Sequence, residues 1–294
     1  MRLIVHMGFH KTASTNLQGL MNANHAHLAA RGIWYEHQEW YPAHHAAAHA
    51  LMQGDSAPFE AMIGNAMAAG AHTLILSSED LECALFNPAV PALIEEVAAS
   101  FGIRDVEWHA AIREPGAYFE SLHAQLSWHT FADALHMFSE VMKKGVLFMP
   151  EPYLDEYATP YWFYCFDYQP FFEGFAAQGR ALTVHDYADR EPYPGWRILD
   201  RLGALDAIVE PAAETDGNHR LSRATIVEHF EARLHELVGE DDWTAMQSIV
   251  ANHVTTDLQT VPTLARLVGN RFAESYRAAL AQFGSQAEQT ALAA

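Results

Sequence analysis

Residues 3–20 read LIVHMGFHKTASTNLQGL: an apolar run closing on Gly8, a short loop holding Lys11 among hydroxyls, then a helical pattern. A buried strand that turns sharply into a helix confines the chain to packed strand and helix layers, because neither apolar surface can stand alone in water. The turn also leaves the first N–H groups of the helix unpaired at its positive end, which suits a phosphate or sulfate group. Lys11 adds a mobile cation, and Thr12, Ser14 and Thr15 add hydroxyl donors. The chain has only three lysines, at 11, 143 and 144, so the composition does not account for one in this loop.

Spacing separates the anion loops that begin this way. A Walker A loop needs Gly-x-x-x-x-Gly-Lys-Ser/Thr, but here Lys11 has no Gly before it and follows Gly8 by three residues. The dinucleotide fingerprint needs three glycines, and this loop has one. Downstream, VEWHAAIREPGAYFESLHAQ carries Arg113 at the end of an apolar strand and Ser121 eight positions on, within the next helix. Arg113 can grip phosphate oxygens with two N–H groups, or form a surface salt bridge with Glu114 or Glu120. In HTLILSSEDLE, His72 to Leu76 form a strand pattern whose end carries Glu79. Glu79 is there as a general base or as a cap for the next helix.

HMGFHKTASTNLQ resembles the 5′-phosphosulfate loop of sulfotransferases, written around Lys-Thr-Gly-Thr-Thr, with Ala13 where the family has Gly and Ser14 where it has the first Thr. The Arg113–Ser121 spacing resembles the family's 3′-phosphate site. The resemblance covers about the first 190 residues in motif order. It implies a P-loop NTPase-like sulfotransferase fold, with 3′-phosphoadenosine 5′-phosphosulfate (PAPS) as donor and PAP (adenosine 3′,5′-bisphosphate) as product. The sulfuryl group would pass to a hydroxyl or amine of a small-molecule, lipid-headgroup or glycan acceptor. It assigns donor binding to His10, Lys11, Thr12, Ala13, Ser14, Thr15, Asn16, Arg113 and Ser121, with Lys11 also catalytic and Glu79 as base. The family's late Arg-Lys-Gly is missing; GNHRLS is its nearest counterpart and nominates Asn218 and Arg220. A nucleotide kinase or NTPase of the P-loop class, or a noncatalytic PAPS/PAP-binding module, is the alternative.

Rival bases lie in YPAHHAAAHAL, where His44 and His45 fall in a stretch that is His-rich in related sequences. His45 and His49 are four apart and share a helix face, the spacing of a metal pair. Zinc needs further ligands, and neither Cys83 nor Cys165 is near in sequence, so no metal is expected. The two cysteines are expected to be reduced core residues.

Seventeen basic against thirty-seven acidic side chains give a net charge of −20, a field that opposes nucleic acid and anionic membranes. No apolar stretch spans a bilayer, and strand residues follow Arg2 at once, so the expected location is cytoplasmic.

Apolar runs alternating with helical periodicity predict an α/β fold with a central parallel sheet flanked by helices and a mainly helical C-terminal part. Strands are expected at GIWY, His72–Leu76, Val106–Ile112 and ALTVHDY. Helices are expected over Asn16–Ala30, Ala57–Ala69, Val90–Ser100, Ser127–Met142, Ser222–Leu237 and Thr263–Phe283. The aromatic stretch 150–172 offers Tyr153, Tyr157, Tyr161, Trp162 and Tyr164 as core or as acceptor pocket. The expectation is a single domain over 1–284, with a disordered tail at 285–294.

Overall fold

The computed structural model describes residues 1–127, 133–150, 159–211 and 222–284. A five-stranded sheet is built from β1 (Arg2–Gly8), β2 (Ile33–Tyr35), β3 (Thr73–Ser78), β4 (Asp105–Ile112) and β7 (Ala181–Asp186), in the order β2-β3-β1-β4-β7. Every pairing in it is parallel. The fold is therefore α/β, as the alternating pattern predicts. β1, with Leu3, Ile4, Val5 and Met7 all inaccessible to solvent, is central because only a strand covered on both faces can be continuously apolar.

The chain leaves β1, lays down β2 and β3 on one side, and then crosses to β4 on the other. Strand order therefore reverses at β1, and the crevice beyond its carboxyl end is where open α/β sheets hold ligands. The segments following β1, β3 and β4 all leave from this edge, with Met7 beside Ser78 and Gly8 beside Ala111.

Contacts divide the chain into two compact units, so the single stretch expected over 1–284 is described in two parts. The first comprises residues 1–113, 168–216 and 275–294, and the second 114–167 and 217–274. In the first, one sheet face packs Ile4, Ile33 and Ile75 against Leu17 and Met21 of α1 (Ser14–Ala23), Leu28 of α2 (His25–Ala29) and Ile198 and Leu199 of α9 (Trp196–Arg201). The helix expected over Asn16–Ala30 thus breaks at Asn24, whose side-chain amide donates to Leu20 O and Glu210 O and whose Oδ1 accepts from Val209 and Glu210 N–H. The first unit also contains α3 (His45–Met52), α4 (Ala57–Ala68), α5 (Ala89–Ser100) and α8 (Tyr168–Ala176).

In the second unit, α6 (Pro115–Leu126) and α7 (Ala134–Lys144) enclose a core with an antiparallel pair, β5 (Val146–Met149) and β6 (Trp162–Cys165). That pair corrects the sequence reading, which left these residues outside any strand. Trp162 and Tyr164 are core residues of β6, 7% and 2% exposed. Tyr161 packs on Phe148, and Tyr153 and Tyr157 lie outside the described residues.

The two late helices join as α10 (Arg223–Phe283), interrupted at Gly239 by φ 78° and ψ 171° and passing through Pro262. Cys83 and Cys165 are buried free thiols. Among the described residues no helix is long and apolar enough to cross a membrane.

Candidate anion and acceptor site

Between β1 and α1 the loop takes two left-handed turns at non-glycine residues, Lys11 at φ 59° and Ala13 at φ 62°. Ala pays for this conformation more than the Gly that the resemblance would place at 13. Thr12 Oγ1 and Ser14 Oγ both donate to Phe9 O, at 2.6 and 3.2 Å, and so clamp the loop from inside. Gly8 is required by a close approach: a Cβ there would sit 2.5 Å from Ser14 Oγ.

Ala13 occupies the N-cap position of α1 with no side chain to cap it, and the first turn carries no acid. The N–H groups of Ser14 and Thr15 precede the first helical bond, Asn16 N–H to Ala13 O at 3.0 Å, at the positive end of the helix. Thr15 shares a hydrogen bond with Tyr41 at 3.2 Å. Asn16 Oδ1 is buried with no partner among the described residues.

Arg113 leaves the end of β4 and donates through Nη1 to Lys11 O at 3.0 Å, with its guanidinium 4.8 Å from the centre of the Tyr187 ring. Tyr168 holds this strand end by donating to Arg113 O at 2.9 Å. The two cations therefore stand together at one sheet edge. Partial burial, then the Arg113 guanidinium, push the Lys11 ammonium below its usual range, while Glu79 pulls it back up. A small cavity beside Thr12 is lined by His185, Tyr187, Trp196 and Arg197. In sequence these residues carry no site signal, because ALTVHDY reads as a strand and the prolines beyond Asp189 mark a connection.

Glu79 begins a 3₁₀ turn, Glu79–Leu85, immediately after β3. It is buried, and one carboxylate oxygen accepts from Gln18 Nε2 of α1 at 2.8 Å. Ser78, not Glu79, caps this turn, accepting from Asp80 N–H at 3.2 Å. Gln18 also donates to Ser77 Oγ at 3.2 Å, tying α1 to the end of β3.

The histidines separate by role. His44 is buried, its Nδ1 accepting from Ser77 N–H at 3.1 Å and its Nε2 donating to Glu36 O at 3.0 Å. Those bonds fix a neutral ring, and burial pushes its pKa down to about 4. His44 is thus a brace between backbone segments. His45 Nδ1 lies 2.5 Å from Asp80 Oδ2 and 2.9 Å from Ser78 Oγ. Burial opposes its charged form, but the hydrogen bond to Asp80 and the Asp80 and Glu79 charges prevail and push it up to about 9. His49 Nε2 reaches the same Asp80 oxygen at 2.9 Å. Against burial, these two imidazoles hold Asp80 far below the usual carboxylate range. His10 Nε2 stands 4.0 Å from the other Asp80 oxygen, and burial lowers its pKa first of all, with Asp80 opposing.

The structure thus gathers His10, Lys11, Thr12, Ala13, Ser14, Thr15, Asn16, Arg113, Glu79 and His45 around one edge of the sheet. Ser121 is on α6 in the second unit, where Glu114 caps the helix by accepting from Gly116 and Ala117 N–H at 3.0 and 2.7 Å. Asn218 and Arg220 lie outside the described residues. Lys144, the other lysine with a described partner, pairs with Glu140 at 2.5 Å along α7.

No protein-family model matches the chain, and no curated protein or solved structure matches it either.

Proposed function

We propose that this chain is a PAPS-dependent sulfotransferase, transferring a sulfuryl group from PAPS to an acceptor hydroxyl or amine. One observation supports this above the rest: an uncapped helix N-terminus, Lys11 and Arg113 converge at the point where strand order reverses. Such a cluster suits a compound with phosphate at both ends, and an acidic chain needs its cations concentrated where that compound binds.

In this reading Lys11, Thr15 and the first amides of α1 meet the charge that develops on the phosphate oxygen as the S–O bond to the donor breaks. Arg113 fixes the 3′-phosphate and braces the loop through Lys11 O. Glu79, held by Gln18, takes the proton from the acceptor as its oxygen or nitrogen bonds to sulfur. Loop and base descend from neighbouring strands, β1 and β3, so acceptor and donor meet across a single strand spacing. The acceptor is a hydroxyl-bearing small molecule, lipid headgroup or glycan, and the protein works in the cytoplasm without nucleic acid or a metal in the transfer step.

Thermal unfolding tests the donor. PAP at about a hundredfold excess over its Kd should add about 2.7 kcal/mol and raise Tm by several degrees. Stabilisation by magnesium–ATP but not by PAP would overturn the reading in favour of a kinase or NTPase.

A further inference from the structure

Along the sequence, His45 and His49 have no third ligand near them. The fold supplies one. Asp80 comes from the 3₁₀ turn after β3, and its Oδ2, His45 Nδ1 and His49 Nε2 all lie within 4.8 Å of one another. We infer that His45, His49 and Asp80 form a binding site for a divalent transition-metal ion, with zinc the best match to two imidazoles and one carboxylate. This goes beyond the sulfotransferase reading, which uses no metal.

The geometry is close to what such an ion requires. Zinc bonds of about 2.0–2.1 Å in a tetrahedron hold ligand atoms about 3.3 Å apart. Asp80 Oδ2 is now 2.5 Å from His45 Nδ1 and 2.9 Å from His49 Nε2. Withdrawing Asp80 Oδ2 by less than about an ångström would bring its separations from the two ring nitrogens to zinc dimensions. The two imidazoles are presented by successive turns of α3, their ring centres 5.9 Å apart and their planes 19° from parallel.

Supporting groups are in place as well. Ser78 Oγ lies 3.4 Å from Asp80 Oδ2 and can donate to that carboxylate as outer-shell donors do at metal sites, giving up its 2.9 Å contact with His45 Nδ1 when that nitrogen binds the ion. The Tyr41 ring packs on His45, 5.0 Å between centres, and shields one side. The Asp80 and His49 side chains are 9% and 10% exposed and that of His45 27%, so the group is sheltered but reachable. Three protein ligands leave a fourth position for water or an exogenous ligand, the pattern of open zinc sites. The charged and titratable neighbours are His10, whose Nε2 is 4.0 Å from Asp80 Oδ1, and Glu79 in the adjoining position.

The test uses the full chain, stripped with chelator and titrated without nucleotide, first with cobalt(II) and then with zinc. The expected result is a single saturable site, an intense four-coordinate cobalt absorption spectrum and displacement of cobalt by an equivalent of zinc. His49→Gln and Asp80→Asn should each weaken zinc binding at least tenfold. His37→Ala, which alters a separate histidine pair stacked with His25, should leave it unchanged. Should Asp80→Asn fail to fold by circular dichroism, His49→Gln decides alone. Equal zinc affinity in wild type and His49→Gln, or only the weak spectrum of six-coordinate cobalt, would overturn the site. Neither result bears on PAP binding, which is measured separately on metal-free protein.

Discussion

Glu79→Gln is expected to lower sulfuryl transfer at least about 100-fold while leaving PAP affinity within about twofold of wild type, since a positioned base contributes about 10²–10⁴-fold. The substitution keeps the shape of the side chain and its ability to accept from Gln18 Nε2, so the end of β3 and its tie to α1 persist. What is lost is the capacity to receive the acceptor's proton. The measurement is release of PAP from PAPS across a panel of hydroxyl and amine acceptors, with nucleotide affinity determined alongside. Activity close to wild type would remove Glu79 from the mechanism and return attention to His45. Gln18→Ala should lower kcat less, because it frees the carboxylate without deleting it.

Acidification is the second large effect. His6, His109 and His185 share one face of the sheet, on β1, β4 and β7 respectively, and are 1%, 0% and 4% exposed. His6 Nδ1 bonds Ser77 Oγ at 2.8 Å, and His109 Nδ1 bonds His185 Nε2 at 3.0 Å. His185 Nδ1 has no hydrogen-bond partner among the described residues, and His109 Nε2 faces Glu107 Oε2 at 3.8 Å, which opposes the effect of burial on that ring. Burial first, and the neighbouring His109 second, push His6 from 6.5 down to about 3, and burial likewise lowers His109 and His185. An unfolded chain protonates these rings near pH 6.5, whereas the folded one resists until far lower pH, so the unfolded state binds more protons between. Stability is therefore full above pH 6.5 and falls as the pH drops toward 3. At pH 5 His6 alone costs about 2 kcal/mol, and the other two act in the same direction. Urea unfolding at pH 7 and pH 5 should show this loss, and His6→Asn should flatten the slope while being less stable at pH 7. Equal stability of the wild type at both pH values would contradict a neutral histidine layer.

The residues show why much of the fold was legible. β1, β3 and β4 announce themselves because strands covered on both faces carry runs of apolar residues, and Gly8 marks the turn because Ser14 leaves no room for a Cβ. The loop after β1 is a local motif, so the order of its residues is what suggests the proposed chemistry. The β5–β6 pair was missed because its aromatics and nearby prolines satisfy neither a helical nor a strand period cleanly, and the second strand begins only at Trp162. Gly239 does break the helix, two residues past the end expected at Leu237, whereas Pro262 lies inside the second helical segment without stopping it. The contacts that shape the site were invisible for another reason. Gln18 meets Glu79 across 61 residues and His49 meets Asp80 across 31, and nothing in a single sequence specifies a pairing over such distances. For the same reason Arg113 was read as gripping the far end of a ligand, when its side chain also braces the loop that Lys11 belongs to.

In the proposed function, Lys11 and Arg113 belong to one binding site for a doubly phosphorylated adenosine. Calorimetric titration of PAP into wild type, Lys11→Ala and Arg113→Ala tests it most directly. Saturable binding in the wild type, weakened at least about tenfold by either substitution, or about 1.4 kcal/mol, is the predicted result. The same affinity in all three proteins, or no binding to any of them, would contradict it.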